Sequence, residues 1–161
     1  MDKILTLKEA IEISNKLRAR RKTVVLAGGC FDILHIGHIS FLEKAKELGD
    51  FLFILLESDK SIERIKGKNR PINTQKNRAK VLSSLETVSF IINLPELKTN
   101  EEYDNLISEV KPNIIATTKG DPNRIHKERQ ARLVGATIVD VIGRVSDKST
   151  TNLARLISKD L

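Results

Sequence analysis

The sequence predicts an α/β domain in which a five-stranded parallel sheet is doubly wound, with helices on both faces. Three observations carry that prediction. After a helical lead-in, apolar strand-like runs alternate with helical patterns along the chain in the order β-α-β-α-β-α-β-α-β-α, the alternation of a parallel sheet. The run Phe51-Leu52-Phe53-Ile54-Leu55-Leu56 is apolar without interruption, as a strand covered on both faces must be. Helix starts and stops punctuate the pattern: Thr6, Ser58 and Thr74 as caps, Gly49, Pro112 and Gly135 as ends.

The elements follow in order. Leu5 to Leu17 has helical apolar spacing, with Thr6 and Glu9 as a capping box. It closes in Arg18-Ala19-Arg20-Arg21-Lys22, cations suited to a helix C-terminus. Thr23 to Ala27 is the first strand. A helix with Ile39, Phe41, Leu42, Ala45 and Leu48 runs to Gly49, and Phe51 to Leu56 is the second strand. Ser58 or Asp59 caps a short helix, Lys60 to Ile65. A basic loop, Lys66-Gly67-Lys68-Asn69-Arg70-Pro71-Ile72-Asn73, leads to a helix from the Thr74 cap to about Leu85. Val88 to Ile92 is the third strand, Glu101 to Val110 a helix, and Asn113 to Thr117 the fourth strand. Ile125 to Val134 is a helix, Thr137 to Ile142 the fifth strand, and Ser149-Thr150-Thr151 opens a last helix, Asn152 to Ser158.

The 161 residues read as one domain, residues 1–161, with residues 1–22 as an N-terminal helical lead-in; there is no repeat or linker. Hydrophobic residues at 40% and charged residues at 30% are those of a soluble globular chain. No apolar run is long enough to span a bilayer, and the N-terminus lacks a signal-peptide pattern. A single cysteine, Cys30, excludes an internal disulfide, so the cytoplasm is the expected compartment and no membrane partner is expected. The formal net charge of +7 favours anionic partners. Aromatics are only 4%, too few for a stacking surface, so phosphate chemistry is expected rather than nucleic acid.

Chemistry concentrates where the first strand ends, in Gly28-Gly29-Cys30-Phe31-Asp32-Ile33-Leu34-His35-Ile36-Gly37-His38. The stretch reads as a glycine turn feeding a helix start, whose free N–H groups and dipole suit phosphate. Gly28 and Gly29 let the backbone approach a phosphate, the amides near Phe31 and Asp32 point into the site, and Gly37 leaves room for a nucleotide. His35 and His38, three residues apart, share one helical face and can both donate to phosphoryl oxygens. Metal binding by the pair lacks a third ligand of matching spacing. Cys30 reads as a small buried thiol rather than a nucleophile, and Asp32 as either a nucleotide-site residue or a turn-former.

These residues carry a resemblance. Phe31 to His38 resembles the signature of the cytidylyltransferase-like nucleotidyltransferase superfamily, whose fold is Rossmann-like. Ser58-Asp59, Lys66-Gly67, Arg70-Pro71-Ile72-Asn73, Arg78 and Ser149-Thr150-Thr151 match further blocks in order, so the likeness covers nearly the whole chain. Within the superfamily the sequence is most similar to the D-glycero-β-D-manno-heptose 1-phosphate adenylyltransferases, including stand-alone single-domain forms. It departs from them in Glu57, where Asn is usual, in the loop Lys119-Gly120-Asp121-Pro122, which lacks the usual aromatic, and in Arg144 to Lys148, which is not acidic.

The resemblance implies transfer of a nucleotidyl group, adenylyl favoured, from an NTP to a sugar 1-phosphate, with release of pyrophosphate. It implies His35, His38 and Lys66 as catalytic residues. It implies nucleotide contacts from Gly28, Cys30, Phe31, Asp32, Gly37, His38, Lys119, Gly120, Asp121, Ser149, Thr150 and Thr151, and acceptor contacts from Asp59, Arg70 and Arg78. Mg²⁺ bridging the triphosphate and a homodimer are expected with it.

The physical requirement is the same: in-line attack at the α-phosphorus needs positioned donors and cations around the phosphates, and no strong base, because the attacking oxygen is already anionic. Plainer readings stand beside each residue. Lys66 and Lys68 can be solubilising, Arg78 can pair with Glu86, Ser149-Thr150-Thr151 can be an N-cap alone, and His126 is a surface residue. The alternatives for function are a cytidylyltransferase acting on glycerol 3-phosphate or another alcohol phosphate, an FMN adenylyltransferase, and a nucleotide- or RNA-binding module without catalysis.

Overall fold

The computed structural model describes residues 2–143 and residue 155. Six strands, β1 (Ile4–Leu5), β2 (Val24–Gly29), β3 (Phe51–Leu56), β4 (Phe90–Asn93), β5 (Ile114–Lys119) and β6 (Thr137–Gly143), form one sheet in the order β1-β4-β3-β2-β5-β6. Every pairing is parallel. Six helices connect them: α1 (Leu7–Ala19), α2 (Ile36–Glu47), α3 (Asp59–Lys66), α4 (Gln75–Ser83), α5 (Asn100–Val110) and α6 (Arg124–Val134).

Among the described residues the strands number six, not the five expected. Ile4 and Leu5 pair with Ile91 and Ile92 on the open edge of β4, and Leu5 is 6% exposed. Thr6, itself still extended, then serves as N-cap, accepting from the Glu9 amide while the Glu9 carboxylate takes the Thr6 amide at 2.8 Å. The helix therefore starts at Leu7 rather than Leu5. The expected last helix, Asn152 to Ser158, lies outside the described residues but for residue 155.

The sheet is covered on both faces, as the β3 run demands. Phe53 and Leu55 join Val24, Leu26, Ile92 and Ile115 in one apolar cluster with Ala10 of α1, Leu106, Ile107 and Val110 of α5 and Ala131 of α6. Leu52, Ile54 and Leu56 join Val25, Ala27 and Ile91 in the other, with Phe41, Leu42 and Ala45 of α2 and Ala79 and Leu82 of α4. Each such leucine, isoleucine or phenylalanine contributes roughly 1.5–3 kcal/mol by leaving water.

Topology decides where a ligand sits. From β2 the chain winds outward through β3 and β4, then crosses back to β5 on the other side of β2 and continues to β6. The order reverses between β2 and β5. Parallel α/β sheets bind ligands in the crevice at the carboxyl ends of the strands at such a switch point. Here that crevice lies between the residues after Gly29 and those after Lys119.

Candidate active site

Gly28 and Gly29 are not a turn. They complete β2, in register with Leu55 and Leu56 of β3. Gly29 is required for a steric reason: a Cβ there would lie 2.9 Å from Cε2 of the Phe31 ring. The chain turns after it, at Phe31, which takes a φ of +44° and is buried.

Asp32 resolves between its two readings. Its buried carboxylate accepts from Arg70 Nε at 2.8 Å, from the Ile72 amide at 2.9 Å and from the Asn73 amide at 2.8 Å. The Asn73 side-chain amide donates back to the Asp32 carbonyl at 2.9 Å. These amide bonds and Arg70 hold the carboxylate below its ordinary range against the opposing effect of burial. Asp32 is thus the clamp that pins the loop Arg70–Asn73 over the β2 turn. Its side chain is engaged in that role.

The helix α2 starts at Ile36, at the histidine pair where the sequence places a helix start, and His35 caps it. The Gly37 amide donates to His35 Nδ1 at 3.1 Å. Histidine is not among the usual capping residues, so residue type does not announce its capping role. With Nδ1 accepting, the neutral ring must carry its proton on Nε2, where it can donate outward. The His35 and His38 rings stand 3.9 Å apart between centroids, tilted by 36°, and the Phe31 ring backs His38 at 5.3 Å.

Both histidines are neutral at pH 7 in the free site. Burial lowers His35 below its ordinary value. Burial, then the charges of His35 and Lys66, push His38 down to about 4, while the Ile33 carbonyl pulls weakly the other way. The two rings bring no fixed positive charge to the free site. They are hydrogen-bond donors that an arriving phosphate would push toward protonation.

Lys66 ends α3, is exposed, and makes no ion pair among the described residues. It lies within electrostatic reach of both His38 and Cys30. Burial pushes the Cys30 thiol up, so the group is a neutral thiol and not a nucleophile. Gly37 is buried in the first turn of α2.

Arg78 is the largest fully buried side chain among the described residues, 1% exposed. Its guanidinium donates to the carbonyls of Asn73 (3.0 Å), Cys30 (2.6 Å) and Glu57 (2.8 Å) and to Asp59 Oδ1 (2.7 Å). It ties the ends of β2 and β3 to α4 and does not pair with Glu86. Its guanidinium is committed to these four partners inside the protein. Asp59 is half-exposed and shares its carboxylate with Arg78.

Lys119 is the last residue of β5 and is exposed; Gly120 follows with a φ of +80°. The Asp121 carboxylate accepts from Thr117 Oγ1 at 2.7 Å, Lys127 Nζ at 2.6 Å and the Asn123 amide at 2.8 Å. Those bonds hold it below its ordinary range against burial. Asp121 shapes the loop after β5 through these bonds. Ser149, Thr150 and Thr151 lie outside the described residues.

One pair escaped sequence reasoning. Glu57, directly after β3, accepts from the Tyr103 hydroxyl of α5 at 2.9 Å and 3.0 Å, one distance to each carboxylate oxygen. Nothing local signals a contact across 46 residues.

Comparison with known proteins agrees with this geometry. Residues 26–153 match a family model described as cytidylyltransferase-like. The chain is 37% identical over 158 residues to the bifunctional protein HldE of Pseudomonas fluorescens, covering 97% of this chain and 32% of that protein. It is 45% identical over 147 residues to the bifunctional protein HldE of Nitratiruptor sp., covering 89% of this chain and 29% of that one. It therefore spans about a third of the length of these relatives. Among solved structures, a lipopolysaccharide core biosynthesis protein from Thermoplasma volcanium superposes with a TM-score of 0.60 at 31% identity, over 76% of this chain and 97% of that one. A pantoate-beta-alanine ligase from Francisella tularensis shares the fold at a TM-score of 0.58 and 16% identity, over 96% of this chain and 76% of that one.

Proposed function

The chain belongs to the cytidylyltransferase-like family, and on that premise we propose that it transfers the adenylyl group of ATP to a heptose 1-phosphate and releases pyrophosphate. The observation that carries the reading is the pair of imidazoles, 3.9 Å apart, in the first turn of α2 at the switch point of the sheet. The choice of acceptor rests on the sequence resemblance set out above and on the similarity to the HldE proteins.

In the proposed reaction an ionised oxygen of the acceptor phosphate attacks the α-phosphorus of ATP. A P–O bond to the acceptor forms, the P–O bond to the β-phosphate breaks, and pyrophosphate leaves with the electron pair. The acceptor brings its own negative charge, so no general base is required. The protein's task is to hold the reactants in line and to meet charge as it moves onto the leaving pyrophosphate.

Each residue then has a role in this reading. His35 offers Nε2–H, and His38, backed by Phe31, stands beside it; both are donors to the triphosphate that gain a proton as its charge arrives. Lys66 supplies the full positive charge. Lys119, Gly120 and the exposed edge of Gly28 border the nucleotide. Asp32 and Arg78 act behind the site by fixing the loops that form it. Ser149, Thr150 and Thr151 are proposed to hold the β- and γ-phosphates, and Arg70 and Asp59 to border the acceptor.

Mg²⁺ is proposed to enter as the magnesium complex of ATP. Among the described residues no group of three His, Cys, Asp or Glu side chains converges, and no side chain of this chain is assigned to the ion. A homodimer and a cytoplasmic location complete the proposal. No described helix is long and apolar enough to cross a membrane.

The test is a matrix of ATP and CTP against heptose 1-phosphate, glycerol 3-phosphate and FMN, read as pyrophosphate release. Release with ATP and the sugar 1-phosphate alone supports the proposal. Release with CTP and glycerol 3-phosphate, or with ATP and FMN, replaces it with one of the alternatives. Steep salt-dependent RNA binding with no turnover replaces it with a binding module.

A further inference from the structure

Glu57 is the buried titratable group that the reaction above does not use. Its backbone is pinned on both sides: the amide donates to the Gly29 carbonyl at 3.2 Å, and the carbonyl accepts from Arg78 at 2.8 Å. Side chains alternate along β3, so Glu57 continues the face of Phe53 and Leu55, the face that α5 covers. There it meets Tyr103, which packs on the same apolar cluster.

The pair is chemically incomplete. A carboxylate offers about four acceptor sites, and a phenol has one proton to give. That proton faces two carboxylate oxygens at near-equal distance. No cation lies within ion-pair distance of Glu57 among the described residues. Arg64 is engaged with Glu96 and the Leu97 carbonyl, and Arg78 with its own four partners. Burial accordingly pushes the Glu57 carboxyl up, with Tyr103, Arg64 and Arg78 opposing. A half-buried, underfilled carboxylate at the carboxyl end of a central strand costs stability, and such groups mark places where a ligand completes the set.

Position supplies the rest. Glu57 lies beside Cys30, its amide on the Gly29 carbonyl, and Lys66 is also within electrostatic reach of Cys30. Lys66 is thus a cationic neighbour of the strand ends, and Glu57 an acidic one. A phosphate is repelled from the Glu57 carboxylate, while a hydroxyl can donate to it.

We propose that Glu57, oriented by Tyr103, is a specificity-determining residue that receives hydroxyl groups of the acceptor sugar and keeps the acceptor's phosphate at the Lys66 end of the cleft. This deepens the acceptor assignment of the proposed function and rests on it.

The test is steady-state kinetics on Glu57→Gln and Tyr103→Phe, with the acceptor and ATP varied separately. Glu57→Gln keeps shape and one acceptor oxygen but loses the charge. The expected result is a rise of about tenfold to a hundredfold in KM for the sugar 1-phosphate, the loss typical of one charge-assisted hydrogen bond, with KM for ATP within about twofold. Tyr103→Phe should raise the acceptor KM less and in the same sense. A purely structural pair would lower the melting temperature and leave the ratio of the two KM values unchanged. That outcome overturns the inference, as does an equal rise in both KM values. If Glu57→Gln does not fold, the Tyr103→Phe ratio decides alone. Sugar 1-phosphate turnover with an unchanged ratio refutes this inference and spares the proposed function. Wild-type turnover of FMN or glycerol 3-phosphate instead refutes both.

Discussion

Replacing Asp32 by alanine should unfold the site before it touches the chemistry. The carboxylate is fully buried and holds Arg70 Nε together with the amides of Ile72 and Asn73. Asp32→Ala removes the counter-charge from an arginine that is itself 9% exposed. Breaking a buried pair by removing one partner costs about 3–5 kcal/mol, because the remaining charge is left in a poorly solvated place. The two amides lie nearer solvent and add little beyond that range. For a chain of 161 residues, each kcal/mol lowers the melting temperature by about 2–4 °C, so a fall on the order of 10 °C is expected. Asp32→Asn keeps an acceptor for the amides and loses only the ion pair, so its cost should fall between alanine and wild type. Urea unfolding followed by circular dichroism at pH 7 measures both variants. If Asp32→Ala is as stable as wild type to within 1 kcal/mol yet loses ATP affinity, the carboxylate belongs to the nucleotide site and the clamp reading is wrong.

Other expectations follow from the same geometry. His38→Gln should lower kcat/KM by about 10²–10³, equivalent to about 2.7–4 kcal/mol of transition-state stabilisation, without changing the unfolding midpoint at pH 7; steady-state kinetics with a melting curve checks it. His38 carries a folded value near 4 against 6.5 unfolded. The folded state therefore disfavours its protonation, and the stability it secures is complete above pH 6.5 and is lost as pH falls toward 4. The loss is of order 2–3 kcal/mol after allowing for partial solvent access. Comparing wild type with His38→Gln between pH 7 and pH 4.5 isolates this contribution from that of Asp32 and other carboxylates. Lys66→Ala should weaken ATP binding while leaving the fold intact, since the side chain is exposed and makes no ion pair among the described residues; titration calorimetry reads it.

Much of this structure is legible in the sequence where the signal is local. The β3 run reads as the same six residues, Phe51–Leu56, from sequence and in the fold. The Thr6–Glu9 capping box forms as its spacing suggests. What escapes is what depends on distant partners. Ile4–Leu5 is too short to show a period, and only the open edge of β4 makes it a strand. Lys119 looks like loop but is drawn into β5 because β6 continues alongside it to Gly143. Residue types at the site are readable, but their employment is not. Asp32, Arg78 and Asp121 look like ligands in a list of polar residues, and each is occupied by groups that folding brings from elsewhere. Histidine pKa values are equally hidden, since burial and the neighbouring His35 and Lys66 charges set that of His38.

The central claim is that the α-phosphoryl group of ATP moves to a sugar 1-phosphate. Incubation with ATP labelled at the α-phosphorus, in the presence of heptose 1-phosphate and magnesium, tests it directly. The label should appear in a nucleotide sugar, while label placed at the γ-phosphorus should appear in pyrophosphate. Transfer of the γ label to the sugar, or α label recovered only as free AMP or unreacted ATP, would contradict it.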